Sequence, residues 1–284
     1  MTRYLCTKCG ASHSSKRRIS RKAKVLWKKY VWNRQTAPQL EETYGKSEKT
    51  IRRLFDRIEV RGKKHKPRAL VLVIDASFFH RGNGFLVAKD PKLSEVVYAR
   101  EISSETKAEY ERARSEIERL GYIIQAVVLD GRAGIPRVFE GMPVQICQFH
   151  QLQVVRRKLT LKPQTEAGKD LLSIGLKVTW FNEESPGVAL EKWHAKYHSF
   201  IEEKTYVLGT KRWRYTHRRM RSAYRSLEKN LPHLYTCLRH PELKIPNTTN
   251  CIDGHFSSLK EKLGAHRGQN KKRRWNMIRT ILKI

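Results

Sequence analysis

Ala69 to Phe79 reads ALVLVIDASFF, a nearly unbroken run of apolar and β-branched side chains with one carboxylate, Asp75, set inside it. A run of this length and composition is a strand buried on both faces, so it needs neighbouring strands beside it and cover above and below. The residues that follow supply the sheet. Gly82, Asn83 and Gly84 form a hairpin turn into Phe85–Ala88, and Val96–Ile102 adds a third strand, so three antiparallel strands open the domain. Thr106 and Glu109 have capping-box spacing, Tyr110, Ala113, Ile117 and Leu120 recur at helical intervals, and Gly121 stands where a helix end favours a left-handed residue. Ile123–Asp130 is a second buried strand, and Val144–Cys147 is a short apolar run after another helix or turn. The order βββαβαβ predicts an α/β fold with a mixed sheet.

Asp75 and Asp130 occupy the same place in their strands, each the first acid after an uninterrupted apolar run. A carboxylate there needs local hydrogen bonds, an arginine or a metal ion. If the helical crossover makes the two strands parallel neighbours, both carboxylates emerge at one sheet edge, a hard-oxygen site suited to Mg2+ or Mn2+. The alternative is that each Asp caps a turn. A third acid is expected later in the chain. In Asn250–Leu263 the residues Ile252, Phe256, Leu259 and Leu263 form a buried helical stripe, with Asp253 on its flank and Glu261 about opposite. Asp253 therefore reaches the sheet edge, or serves as a first-turn acid favoured by the helix dipole.

Charge narrows the partners. The chain has 284 residues and a formal charge of +32, and the excess is uneven. Residues 1–68 carry 21 basic and 5 acidic side chains, 69–150 carry 10 and 11, 151–252 carry 19 and 9, and 253–284 carry 9 and 2. Basic segments thus surround a neutral core, as expected of a polyanion-binding protein with a second task. Five unevenly spaced cysteines and no recognisable leader point to a reducing, cytoplasmic setting, and no apolar run is long enough for a membrane helix.

Taken in order, VIDASFF around Asp75, VVLDGRAG around Asp130, CQFH from Cys147 to His150, and TNCIDGHFSSLKEKLGAHRG from Thr249 resemble the Mutator-like bacterial insertion-sequence transposases. The N-terminal zinc-binding variant of that family is the most similar, and the resemblance covers nearly the whole chain. It implies a ribonuclease H-like core with an all-α insertion. It also implies an Asp75–Asp130–Asp253 triad holding two Mg2+ or Mn2+ ions for DNA cleavage and strand transfer. The family usually has Glu where Asp253 stands. Cys147 and His150 match the family's CxxH signature, with three roles open: metal binding, ordering of the active-site edge, or DNA contact.

The same resemblance frames the remaining segments. Cys6 and Cys9 form a CxxC knuckle, either half of a Zn2+ ribbon whose other half lies upstream in longer family members, or a surface pair without metal. Residues 19–58 read as three helices with a helix-turn-helix, in which Ser47–Arg57 presents Lys49, Thr50, Arg52 and Arg53 to DNA; plain helix packing is the alternative. Residues 59–68 are a basic linker, 69–150 the first part of the core, 151–246 the helical insertion, and 247–284 a last core helix with a basic tail. Trp180, Trp193 and Trp213 are spread through the insertion, and Arg212, Trp213 and Arg214 interleave cations with an aromatic ring. Arg267, Lys271 and Arg273 in the tail are further candidate phosphate contacts, the alternative being a merely solvated basic tail. The expected partners are double-stranded DNA, both element terminal repeats and target, with a homo-oligomer on the DNA near the nucleoid. Two rivals fit the same residues: a non-catalytic DNA-binding protein that keeps the helix-turn-helix, and a structure-specific nuclease.

Overall fold

The computed structural model describes residues 3–14, 21–179 and 184–284, so Trp180 lies outside the described residues. In chain order the elements are β1 (Arg3–Leu5), β2 (Ser12–Ser14), α1 (Arg21–Trp32), α2 (Ala37–Tyr44) and α3 (Glu48–Asp56). Then come β3 (Ala69–His80), β4 (Asn83–Asp90), β5 (Glu95–Ile102), α4 (Lys107–Arg119), β6 (Ile123–Leu129), a 3-10 turn at Pro136–Phe139, and β7 (Val144–Ile146). The remainder is α5 (Gln148–Leu159), α6 (Glu166–Lys177), α7 (Glu184–Glu202), β8 (Lys204–Tyr206), β9 (Trp213–Tyr215), α8 (Arg218–Leu234), α9 (Thr236–Arg239), α10 (Asn250–Gly264) and α11 (Lys271–Leu282). No helix among the described residues is long and apolar enough to cross a membrane. The chain divides into two compact units, residues 65–254 and residues 1–64 with 255–284.

In the larger unit, five strands form one sheet in the order β5-β4-β3-β6-β7. The first three are antiparallel, and β6 and β7 join parallel to β3, so the sheet is mixed as the element order predicts. Alternation along β3 sends Leu70, Leu72 and Ile74 to the face covered by Tyr110, Ala113 and Ile117 of α4. Val71, Val73, Asp75 and Ser77 therefore line the opposite face. Thr106 does occupy the N-cap of α4, but its side chain makes no cap bond; Glu109 instead pairs with Arg100 and Arg112.

The insertion has its own core, in which Val155, Leu171, Trp193, Ala223 and Leu227 are buried together. Trp193 is a packing residue whose indole donates to the Ala167 carbonyl oxygen at 2.8 Å. The expectation of an all-α insertion needs correction. A two-stranded antiparallel hairpin, β8 with β9, stands between α7 and α8. The β-favouring run Thr205, Tyr206, Val207 and the left-handed Gly209 are the local cause.

In the smaller unit, Phe55 of α3 packs against Trp27 and Tyr30 of α1, and Ile51 of α3 and Leu40 of α2 are fully buried. Gly45 is left-handed at the end of α2, and the Ser47 hydroxyl caps α3 by accepting from the Thr50 N–H. The turn between α2 and α3 is thus closed by a left-handed glycine and opened again by a serine cap. The basic tail expected after His266 is in fact α11, whose Met277, Ile278, Ile281 and Leu282 are buried. Periodic apolar residues at the C-terminal end make this stretch a packed helix despite its opening run of cations.

Candidate active site

The register of the sheet brings the first two acids together. Val73 on β3 is paired with Val128 on the parallel β6, so two residues further on Asp75 and Asp130 arrive side by side on the same face. Asp75 is buried, with one carboxylate oxygen accepting from the Ala76 N–H at 2.8 Å. Asp130 sits just past the end of β6 and accepts from the Arg132 N–H at 2.9 Å. Gly131 makes this turn possible: its φ is +81°, and a Cβ there would stand 2.7 Å from Ile146.

Asp253, half-buried in the first turn of α10, is the third member. Burial pushes the Asp75 carboxyl up to about 7, and the charges of Asp130 and Asp253 push it the same way, against the pull of His150. Glu261, on the other side of the helix, is exposed and pairs with Arg34. A buried carboxylate with two half-buried ones is the oxygen-donor chemistry suited to a divalent cation. As the side chains stand, no group of three or more His, Cys, Asp or Glu among the described residues is set to hold a metal ion. The donor chemistry of the three carboxylates fits a divalent metal.

Beside the acids lies the Cys-x-x-His segment. The Cys147 N–H donates to the Leu129 carbonyl oxygen at 2.7 Å, which extends the β6–β7 pairing and lays Cys147 beside the strand end that carries Asp130. Its fully buried sulfur accepts from the Thr249 N–H at 3.4 Å, and the Thr249 hydroxyl lies 3.3 Å from His150 Nδ1. Burial pushes the Cys147 thiol up, but the hydrogen bonds from His150 and Thr249 outweigh it and leave the thiol below its usual range. His150 is raised to about 9, first by its bond to Cys147 and then, against burial, by the charges of Cys147, Asp75 and Asp130. The segment therefore sets a cationic imidazole close to the carboxylates.

Several residues with no sequence signal complete the surround. Lys89 is buried on β4 and donates to the Cys251 carbonyl oxygen at 2.8 Å, which fixes the start of α10. Glu105 accepts from Tyr110 and from Arg132, both at 2.8 Å; burial raises its carboxyl, as does the Asp130 charge. Gln148 donates to the Leu234 carbonyl oxygen at 2.8 Å and accepts from Asn247 at 3.0 Å, holding the chain just before Thr249.

Elsewhere the expected contacts divide. Lys49, Thr50 and Arg53 are exposed on α3, Arg52 is half-buried and pairs with Glu48, and Arg212, Trp213 and Arg214 are exposed on the hairpin. Arg267 and Lys271 are exposed too. Arg273 is not available to a phosphate: its side chain is 6% exposed and forms a double hydrogen bond with Asp56, at 2.9 Å to each oxygen. At the N-terminus, Cys6 and Cys9 occupy the turn between β1 and β2, and hydrogen bonds from the Lys8 and Cys9 N–H groups lower the Cys6 thiol. That turn supplies two candidate zinc ligands, where a structural zinc site takes four.

No protein-family model matches this chain, and no curated protein matches it.

Proposed function

We propose that the chain is a DNA transposase of the Mutator-like bacterial insertion-sequence kind, with a ribonuclease H-like core. It binds element ends and cuts and joins DNA strands at Asp75, Asp130 and Asp253. The carrying observation is the register that carries Asp75 and Asp130 to adjacent parallel strand ends, with Asp253 in the first turn of α10 as the third acid. The mixed five-stranded sheet, with an antiparallel meander followed by parallel strands, supports the core assignment.

Asp75, Asp130 and Asp253 would hold two Mg2+ or Mn2+ ions, which when bound supply Lewis-acid stabilisation of both the attacking and the leaving oxygen in phosphoryl transfer. The protein's own residues prepare that site. Burial excludes water from Asp75, the Gly131 turn directs Asp130, and Lys89 fixes the helix that presents Asp253. The raised His150 keeps a positive charge beside the acids, where a scissile phosphate would be drawn. Exposed cations on α3 and on the β8–β9 hairpin would hold DNA by its backbone, independently of sequence.

The test is incubation of the protein, Mn2+, a duplex carrying the DNA that flanks the gene, and a circular target. Joined products support a transposase. Cleavage without joining supports the nuclease reading, and binding without cleavage supports the non-catalytic one.

A further inference from the structure

Residues 203–214 form the longest continuously exposed excursion of the larger unit, and their side chains are unusual for such a position. Leu208, at the hairpin tip, is 99% exposed, Tyr206 is 68% and Trp213 45%. Apolar groups presented this openly mark an interaction site. The tip is built, not frayed: the Val207 N–H donates to the Arg212 carbonyl oxygen at 2.9 Å, and Gly209 turns the chain at φ +75°. The Tyr206–Trp213 and Lys204–Tyr215 pairs share one face, with the Lys204 ammonium 4.3 Å from the Trp213 ring centre. At the root, Tyr215 lies under the Arg221 guanidinium at 3.9 Å, and the Thr205 and Thr216 hydroxyls are 2.7 Å apart. A two-stranded ribbon is marginal alone, so this bracing gives a stiff support to an apolar point.

The surroundings state what the point meets. Lys211, Arg212 and Arg214 flank the tip. A cavity of about 370 Å³ at the root is lined by Lys158, Lys162, Arg218 and Arg219, with no carboxylate among its lining residues. An apolar tip on a braced ribbon with cations behind it is complementary to duplex DNA opened at one base step. Leucine is one of the side chains that unstack a step, and the phosphates on either side fall to the basic groups. A protein partner would instead call for unpaired acids or apolar rims around the tip, and the two acids at the root are both committed, Glu203 to His217 at 2.9 Å and Glu202 to Arg221.

We propose that hairpin 204–215 is a DNA-deforming wedge. Leu208 enters a base step, Tyr206 and Trp213 stack on the exposed bases, and the cations hold the flanking backbone. This rests on the reading that the chain handles DNA, and it adds that binding distorts the duplex at a defined element of the insertion.

The test is a fluorescence titration of the full chain into short random-sequence duplexes with 2-aminopurine placed along them, while anisotropy reports binding in the same samples. Wild type is expected to raise 2-aminopurine emission as it binds. Leu208→Ala should abolish most of that rise and weaken binding about three- to tenfold, Trp213→Ala should weaken it similarly, and Leu208→Phe should keep the rise. If wild type binds and both alanine variants retain the full rise at saturation, the wedge is wrong while DNA handling stands. If wild type does not bind, both ideas fail. If Leu208→Ala lowers the mass of the DNA-free protein in light scattering, the tip is a protein interface and the wedge is overturned.

Discussion

The Lys89 ammonium and the Cys251 carbonyl oxygen, 162 residues apart in the chain, meet at 2.8 Å. Through this bond β4 fixes the first turn of α10, two residues before Asp253. Lys89→Met keeps the apolar stem and removes the donor. It is expected to cost about 1.5–3 kcal/mol, the usual range for a hydrogen bond to a charged group, in urea denaturation. It should also lower Mn2+-dependent nicking while leaving DNA affinity unchanged.

The Asp75 carboxyl gives a stability signature. Its raised value means that the folded chain holds a proton between the usual carboxylate range and about 7, where the unfolded chain has lost it. Without divalent metal, stability should therefore fall as pH rises through that window, by at most about 4 kcal/mol. Asp75→Asn should flatten the slope and melt higher than wild type at neutral pH. Thermal melts across the window, with chelator present, check this.

His150 should titrate near 9 by NMR. With a raised folded value, its protonated form adds stability that is complete below the usual 6.5 and lost as pH rises through 9. Cys147→Ala removes the leading cause and should move the midpoint down. An unchanged midpoint would show that the carboxylates alone hold the imidazolium.

Arg273 and its exposed neighbours should behave oppositely. Arg273→Ala leaves Asp56 without its partner and is expected to destabilise by about 2–3 kcal/mol, below the full cost of a buried pair because Asp56 keeps some solvent. Arg267→Ala and Lys271→Ala should stay within about 0.5 kcal/mol of wild type in stability. Each should lower the salt dependence of DNA binding by about one unit of log–log slope. Denaturation and binding across a salt series separate the two behaviours.

These contrasts follow what the sequence could carry. Buried strands announce themselves through unbroken apolar runs, so β3, β6 and the adjacency of Asp75 and Asp130 were legible. The Cys147–Thr249–His150 cluster was not, since its partners lie about a hundred residues apart and a Cys-x-x-His pair alone suits several roles. Lys89 at the end of an apolar strand resembles an edge lysine until Cys251 is placed over it. Arg273 was misread because a run of cations suggests a solvated tail, although Met277, Ile278, Ile281 and Leu282 already had helical spacing. The hairpin was hidden by three-residue strands, too short for alternation to show.

Manganese binding, followed by electron paramagnetic resonance on the full chain, tests the central claim most directly. Wild type is expected to take up Mn2+ at this site, and Asp75→Asn, Asp130→Asn and Asp253→Asn should each lose that uptake while keeping the fold. Uptake by the three variants equal to that of wild type would contradict the account.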